Sequence, residues 1–438
     1  MNTESTQTVS AVRGSILHFL DDPGESNDPQ ALNFFDDGLL IIENGYITKA
    51  GPAQDLIPTL PESASVIDRR GKLIVPGFVD CHAHFVQTDI IASWGKRLLD
   101  WLEQCTFPAE RAFSDPEVCQ ETAAFFLEEQ LRNGTTTSLI MGSVHPQATE
   151  ALFQQAERRK LRLIAGKVMM DRNCPEYLQD TADSSFEDSK ALLERWHGKD
   201  RLQYAISPRF APTSTPEQLQ MAAHLAQDYP DAYIHTHLAE NAKEIEWVEE
   251  LFPDSRSYLD VYDQLGLLRK RSLFAHSIWL DDQDLIRLHE TNAAIAHCPT
   301  SNLFLGSGLF DWARTESAGV KVALATDVGG GDTFSLLRVL NETFKVAQMK
   351  GYVMTAERGF YLATLGGAKA LDLDKQIGNF EPGKEADFLI LDLSATEILA
   401  RRMERCTTVA EKLFLLMMLG DDRVIAETYI QGKLIHQR

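Results

Sequence analysis

The sequence predicts an α/β fold, a (β/α)8 barrel of the TIM type with a small β-sandwich domain formed by the N- and C-terminal segments. Strand-like runs stand at both ends of the chain, and strand-like and helix-like segments alternate over about 300 residues between them. The composition is that of an ordinary globular protein, with 44% hydrophobic and 24% charged residues among 438. A chain of this length can bury a large core, which argues against a disordered chain or a small disulfide scaffold.

Residues 1–75 are predicted to contribute the N-terminal strands of the small β-domain. Their apolar or alternating runs are AVRGSILHFL, GLLIIENGYITKAG and SVIDRRGKLIVPG, punctuated by the turn signals Asn44-Gly45 and Arg70-Gly71. Residues 377–438 show the same pattern in IGNFEPGKEADFLILDL and RVIAETYIQGKLIHQR. Because chain termini often lie close together, we expect the two ends to pair into one domain.

Residues 76–376 are predicted to form the catalytic barrel. The candidate strands end in VPGFVDCHAH, TTSLIMGSV, LIAGKVMMD, LQYAISPRF, YIHTHLAE, SLFAHSI, AAIAHCP and VALATDV. Helix-like segments separate them, for example around Phe125–Gln130, Ala191–Trp196 and Pro216–Ala226. A doubly wound open sheet is the alternative, but no G-x-G-x-x-G follows any of these strands.

Charge and cysteine usage restrict the partners and the compartment. The formal net charge of −22 disfavours nucleic-acid binding, which needs a basic surface. No run of 18 apolar residues is present, and the polar N-terminus lacks the apolar region of a secretory signal. The six cysteines stand singly, with no C-x-x-C pair, as in proteins with reduced thiols. We therefore expect a cytoplasmic protein with no nucleic-acid or membrane partner.

Imidazoles and a carboxylate stand at the carboxyl ends of four candidate strands, the face where barrel enzymes place their active sites. These residues are His82, His84, His237, His276 and Asp327. On a strand, the i, i+2 pair His82 and His84 points to one face. Several imidazoles with a carboxylate form a zinc-type ligand set that leaves room for a water molecule.

The H-x-H pattern alone is a weak signal, because core or surface histidines produce it by chance. It is the set of four strand ends that favours a metal site. Cys81 and Cys298 lie nearby and are interpreted as packing residues. The sequence leaves the roles of His145, His235 and His297 open.

Glu240 follows His237 by three residues, where the strand should be ending. Its carboxylate can therefore turn over the mouth of the metal site. The alternative is a surface glutamate in the first turn of the next helix, where acidic residues are common.

Several motifs resemble the amidohydrolase superfamily. They are P-G-F-V-D-C-H-A-H at Pro76–His84, the histidine of the fifth strand, A-H-S at Ala275–Ser277 and T-D at Thr326–Asp327. Four further segments are similar to the members of that superfamily that deaminate guanine: HFVQTDIIASWGKRLLDWLEQCTFPAE, SPRFAPTS, THLAEN and HCPTSNLFLGSGLF. The likeness runs from about Val12 to the C-terminus, with no departure at a functional position.

The resemblance implies one Zn²⁺ per chain, a homodimer, and the conversion of guanine and water into xanthine and ammonia. It implies that zinc is held by His82, His84, His237, His276 and Asp327. It also implies that Gln87, Arg209, Phe210 and Glu240 contact the purine, and that Asp327 and Glu240 are catalytic. For Arg209 the alternative is a salt-bridged strand end.

Three other functions remain as alternatives. A related amidohydrolase acting on a cytosine or triazine ring would share the metal ligands, but not the Q-T-D and S-P-R-F segments. A zinc fold of the cytidine-deaminase type needs H-x-E with P-C-x-x-C, and neither pattern occurs. A metal-free barrel that acts as a scaffold should have lost ligands, and none is missing here.

Overall fold

The computed structural model describes residues 9–95 and 97–438, which form two sheets and the helices around them. The strands are β1 (Val9–Phe19), β2 (Leu32–Glu43), β3 (Tyr46–Pro52), β4 (Ser65–Pro76), β5 (Phe78–His84), β6 (Thr135–Met141), β7 (Arg162–Gly166), β8 (Val168–Met169), β9 (Leu202–Pro208), β10 (Tyr233–Leu238), β11 (Ser272–His276), β12 (Ala294–His297), β13 (Lys321–Leu324), β14 (Phe388–Leu391), β15 (Ile425–Ile430) and β16 (Lys433–Gln437).

Strands from the two ends of the chain form one mixed sheet in the order β16-β15-β14-β4-β1-β2-β3. Strand β1 pairs antiparallel with β2 and parallel with β4, and β14 pairs antiparallel with β4, Phe388 lying opposite Pro76. The expected pairing of the two termini is therefore confirmed. The proposed domain limits after residues 75 and 376 stay a prediction.

Parallel strands form the barrel in the order β5-β6-β7-β9-β10-β11-β12-β13, with the short β8 paired to β9. Two backbone hydrogen bonds connect the ends of this series. The amide of Asp327 donates to the carbonyl of His82 at 2.9 Å, and the amide of His84 donates to the carbonyl of Val328 at 2.6 Å. The predicted fold class, a nearly closed parallel barrel beside a separate terminal sheet, is confirmed.

The barrel strands are covered by helices and are buried on both faces, as parallel strands usually are. The α-helices span Ala53–Leu56, Leu98–Trp101, Phe107–Glu110, Pro116–Arg132, Pro146–Arg159, Ala182–Trp196, Pro216–Asp228, Ala242–Leu251, Tyr258–Asp263, Asp282–Glu290, Pro299–Phe304, Trp312–Ser317, Leu336–Met349, Ala356–Tyr361, Gly367–Ala370, Glu397–Met403 and Val409–Leu419. Single π-helical turns lie at Leu102–Thr106 and Leu362–Gly366. Short 3-10 helices lie at Pro29–Ala31, Ile57–Thr59, Phe85–Ile90, Arg111–Ser114, Glu176–Leu178, Ala211–Thr213 and Asp422–Val424.

Each of the three predicted helical segments lies inside a helix of the structure. Two of these helices begin with a capping side chain followed by proline. Asp115 caps Pro116–Arg132, and Thr215 caps Pro216–Asp228. Among the described residues, no helix is both long and apolar enough to cross a membrane.

Candidate metal centre and substrate pocket

The five predicted metal ligands come together at the carboxyl ends of the barrel strands. His82 and His84 end β5, His237 lies near the end of β10, His276 ends β11, and Asp327 follows β13. One donor atom from each of His82, His237, His276 and Asp327 lies within 4.8 Å of the others. The Nε2 atom of His84 lies 3.2 Å from Nε2 of His82 and 3.1 Å from Nε2 of His237.

The backbone has an unusual conformation at two of the candidate ligands, His276 and Asp327. His276 has a φ of 65° and Asp327 a φ of 50°, in the left-handed region that non-glycine residues seldom occupy. Asp327 Oδ1 lies 3.1 Å from His82 Nε2, and its Oδ2 lies 3.6 Å from His276 Nε2. Unusual backbone conformations of this kind cluster at functional sites, where the surrounding structure holds them in place.

Neighbouring groups fix the ring orientation of three imidazoles. The Nδ1 of His237 lies 2.6 Å from the carbonyl oxygen of Arg209, and that of His276 lies 2.8 Å from Asn302 Oδ1. Both partners are acceptors, so Nδ1 carries the hydrogen and Nε2 is left with its lone pair. The Nδ1 of His82 lies 2.6 Å from Nε2 of His235.

Lone pairs and a carboxylate therefore face one another, an arrangement that a cation stabilises and that is unfavourable without one. Burial also lowers the pKa values of His82, His84 and His237 well below the usual range, so these rings are neutral, the form that binds metals. The donor set thus fits a divalent metal ion. His235 is not a candidate ligand in this geometry; it contacts the far side of the His82 ring, the position of an orienting partner.

Glu240 lies over the cluster instead of on the surface. The backbone turns at Ala239, whose φ is 46°, and the next helix starts only at Ala242. The Oε1 of Glu240 accepts a hydrogen bond from the Ser307 hydroxyl at 2.9 Å, and Oε2 lies 3.4 Å from His276 Nε2. Burial raises the pKa of this carboxyl to about 7, which suits a group that exchanges protons near neutral pH.

A cleft of about 410 Å³, including its mouth, opens beside the cluster. Its lining is His84, Gln87, Leu98, Trp101, Leu102, Arg209, Phe210, His237, Glu240, Glu244, His276, Leu305, Asp327 and Gly330. The four residues expected to contact a purine are therefore all at its surface. Apolar walls with a few convergent polar groups are typical of small-molecule sites.

Arg209 lines the cleft and is also salt-bridged, so the ion pair of the alternative interpretation is present, while contact with a purine stays a prediction. Its Nη1 lies 2.8 Å from Oε2 of Glu110, and each of the two side chains is buried. Glu110 also accepts a hydrogen bond from Gln87 Nε2 at 3.0 Å. Glu110, Ser307 and Asn302 were not predicted from the sequence as part of the site. All three lie in segments that resemble the superfamily, but nothing local to the sequence shows their partners.

The nearby cysteines and His297 do not join the cluster. Cys81 and Cys298 belong to an apolar core group, and burial raises their thiol pKa values well above the usual range. The ring of His297 packs 4.7 Å from that of Phe310, and burial lowers the pKa of His297 to about 3. The environments of the two cysteines are typical of packing residues.

The barrel and its cluster of imidazoles and carboxylate agree with the family comparison. Residues 73–435 match the amidohydrolase family. The chain belongs to this family.

Within this family, several proteins similar to the chain are guanine deaminases. Guanine deaminase of Escherichia coli (strain K12) is 51% identical over 434 residues, which cover 98% of each chain. Guanine deaminase of Homo sapiens is 33% identical over 380 residues, 83% of each chain. The solved structure of E. coli guanine deaminase has a TM-score of 0.96 at 50% identity and covers 98% of this chain and 100% of that one. The structure of guanine deaminase from C. acetobutylicum with guanine bound in the active site has a TM-score of 0.89 at 27% identity and covers 98% of this chain and 100% of that one.

Proposed function

We propose that this chain catalyses the hydrolytic deamination of guanine to xanthine and ammonia. The observation that carries the proposal is the cleft in which Gln87, Arg209, Phe210 and Glu240 stand beside the five candidate ligands. The 51% identity to a guanine deaminase over 98% of the chain supports it.

We propose one Zn²⁺ per chain, held by His82, His84, His237, His276 and Asp327. Imidazole nitrogens with one carboxylate suit zinc, and the orienting hydrogen bonds to His237 and His276 are typical of metal-binding histidines. When bound, zinc supplies Lewis-acid chemistry that lowers the pKa of a coordinated water to about 7.

Two carboxylates carry the protons in this proposal. Asp327 accepts a proton from the attacking water as the new C–O bond forms at C2 of guanine. Glu240 protonates the ring nitrogen beside C2. It then takes the proton of the new C2 hydroxyl and helps to pass it to the amine, so that the C2–N bond breaks, ammonia leaves and the C2 carbonyl of xanthine forms. The proton held by Asp327 returns to Glu240 and restores both groups. The buried position of Glu240 and its pKa of about 7 suit both donation and acceptance of a proton.

Three other side chains hold the base in an attack geometry. Arg209 offers charged donors to the acceptor edge of guanine, which carries O6 and N7. Phe210 is placed to pack against the flat ring, and its own ring lies 6.5 Å from that of His237. Gln87 has a donor and an acceptor with which to align the substrate. Fixing the reacting atoms in this way lowers the entropic part of the barrier.

We also propose that the protein acts in purine catabolism as a cytoplasmic homodimer. The pattern of single cysteines, typical of proteins with reduced thiols, supports the compartment. The dimer rests on the superfamily resemblance alone.

The test is guanine turnover by purified protein, followed by ultraviolet absorbance together with measured zinc content. His276→Ala should lose zinc and activity together, since a site short of a ligand holds zinc poorly. The matched control is His224→Ala on an exposed face of the helix Pro216–Asp228, which should change neither. Wild-type protein that does not deaminate guanine would overturn the proposal. A fully active, zinc-loaded His276→Ala protein would overturn the ligand assignment.

A further inference from the structure

A buried carboxylate connects the two polar side chains that are proposed to hold the base. Glu110 ends the helix Phe107–Glu110 and has no exposed surface. Its Oε1 accepts hydrogen bonds from Gln87 Nε2 at 3.0 Å and from Arg209 Nη1 and Nη2 at 3.1 Å each, and its Oε2 accepts from Nη1 at 2.8 Å. Gln87 and Arg209 reach the cleft, with Glu110 behind them.

These three residues come from separate parts of the barrel face. Gln87 follows β5, Arg209 follows β9, and Glu110 lies in the helical segment between β5 and β6. One carboxylate thus links the loops after the first and the fourth barrel strands. The guanidinium carbon of Arg209 also lies 5.5 Å from the ring centre of Phe107, so the same short helix holds it by two contacts.

The carboxylate sets the orientation of the Gln87 amide. An ionised carboxylate only accepts hydrogen bonds, so Gln87 must turn its NH₂ group towards Glu110. The Oε1 of Gln87 in turn accepts from the amide of Gly329 at 3.3 Å. With both ends assigned, Gln87 offers a ligand one remaining N–H and one remaining oxygen lone pair, in fixed positions.

The same carboxylate determines which N–H donors of Arg209 remain for a ligand. Both terminal nitrogens of the guanidinium bind Glu110, which leaves the Nε–H and the outer N–H groups for a ligand. The pair as a whole is neutral. Without Glu110, the buried guanidinium would be an uncompensated positive charge beside the ligand, and an anionic ring would become a better partner than a neutral one.

We propose that Glu110 is a positioning and specificity residue. It fixes the donors and acceptors that Gln87 and Arg209 offer, and it keeps that wall of the pocket neutral, which favours neutral guanine over an anionic purine such as deprotonated xanthine. The inference rests on the proposed function, since it takes the occupant to be a purine base.

The experiment compares Glu110→Gln with the wild-type protein. The amide puts a donor against the donors of Gln87 or Arg209, so kcat/KM for guanine should fall at least about tenfold, mainly through KM, with zinc content unchanged. At alkaline pH, where xanthine is an anion, xanthine should inhibit the variant more strongly, relative to its KM for guanine, than it inhibits the wild type. The control is Glu103→Gln, which removes an exposed carboxylate from the same helical segment. It should leave unchanged both kcat/KM for guanine and the strength of xanthine inhibition relative to that KM.

A lowered melting temperature with wild-type KM and wild-type xanthine inhibition would show a merely structural role and overturn the proposal. If Glu110→Gln does not fold, Glu110→Asp provides the test. Aspartate keeps the negative charge, but its side chain is one methylene too short to keep the hydrogen bonds with Gln87 and Arg209. That variant should raise KM without stronger xanthine inhibition, and an unchanged KM would overturn the proposal. If the wild-type protein fails to deaminate guanine, the proposed function is overturned as well. If the wild-type protein turns over guanine and the Glu110 variants have wild-type KM and wild-type xanthine inhibition, this inference alone is overturned.

Discussion

The two oxygens of Glu240 have different neighbours, and this difference defines the role of the side chain. The Ser307 hydroxyl donates to Oε1, while Oε2 remains 3.4 Å from His276 Nε2 and faces the cluster. Oε1 is therefore held by a hydrogen bond, and Oε2 is left for the proposed proton exchange. Burial, the largest influence, raises the pKa of the carboxyl to about 7, so its protonated and ionised forms are both accessible near neutrality.

Replacing Glu240 with glutamine should separate catalysis from binding. Glu240→Gln keeps the size of the side chain and its hydrogen bond with Ser307 but removes the transferable proton. Turnover of guanine should fall by about 10²–10⁴, the usual contribution of general acid–base catalysis. Zinc content and the melting temperature should stay near the wild-type values, and xanthine should still bind measurably.

The matched control is Glu246→Gln, which alters an exposed glutamate on the helix that follows. It should leave turnover unchanged. If Glu240→Gln turned over guanine within a few-fold of the wild type, another group would have to carry the proton, and Asp327 would be the candidate.

The candidate metal ligands could be predicted from the sequence because each stands at a strand end in a short motif. The residues that contact and orient these candidate ligands, or the side chains proposed to hold the substrate, could not. Glu110 is 99 positions from Arg209, and Ser307 is 67 positions from Glu240. A glutamate or serine forms such contacts only where tertiary packing brings the partner near, and neither residue type has a periodicity that would indicate it.

The helix Ala242–Leu251 positions Glu240 through its first turn. Glu244 forms a capping box with Asn241, and its Oε2 accepts from the backbone amides of Glu240 at 3.0 Å and Asn241 at 3.1 Å. Its Oε1 accepts from the Tyr258 hydroxyl at 2.8 Å. The start of the helix thus fixes the main chain at Glu240, the proposed proton-transfer group.

Removing the Tyr258 hydroxyl should destabilise this element. Tyr258→Phe leaves one oxygen of the buried Glu244 carboxylate without its donor, which should lower the free energy of unfolding by about 1–3 kcal/mol. Urea denaturation monitored by circular dichroism measures the change. Tyr229→Phe is the control, since the Tyr229 hydroxyl donates to Glu194 at 2.9 Å on the surface, and its loss should cost less than about 0.5 kcal/mol. Equal losses in the two variants would contradict the role given to Tyr258.

Element boundaries were less predictable than element types. The run LIAGKVMMD suggests one strand, whereas the structure divides it into β7 and β8 at Lys167. Lys167 is fully buried, and its Nζ donates to Asp180 at 2.6 Å and to the carbonyl of Val168 at 3.1 Å. The apolar run hides this interruption, because the lysine is stabilised by a partner 13 positions further along.

At the scale of the whole molecule, the sequence indicated that the termini pair but not how. Strand β1 runs parallel to β4, and the C-terminal β14 inserts beside β4 in antiparallel orientation. Alternating apolar residues show that a strand has a buried face, but they do not specify its neighbours or direction. The neighbours and the direction of each strand are determined by packing between segments that are distant in the sequence.

A buried group of charges joins the base of the barrel to the terminal sheet, and we call it the barrel–sheet ion network: Arg162, Arg201, Glu385 and Asp387. Arg162 Nε donates to Glu385 at 2.9 Å, Arg201 lies 2.7 Å from Glu385, and Arg201 also binds Asp387. All four side chains are nearly inaccessible to solvent. Breaking such a group by removing one side is strongly destabilising, by about 3–5 kcal/mol, because charge is left buried and unpaired.

Deleting Ile377–Arg438 should therefore prevent stable folding of the rest of the chain. The deletion removes β14, which leaves β4 as an unpaired edge, and it removes both acidic members of the barrel–sheet ion network. Deleting only Lys433–Arg438 is the control, because β16 is a largely exposed edge strand that pairs with β15 alone. Circular dichroism and size-exclusion chromatography should show a folded, soluble protein after the short deletion and an unfolded or aggregated one after the long deletion. A soluble, active protein without residues 377–438 would show instead that the barrel folds by itself and that its buried arginines at this interface find other partners or solvent.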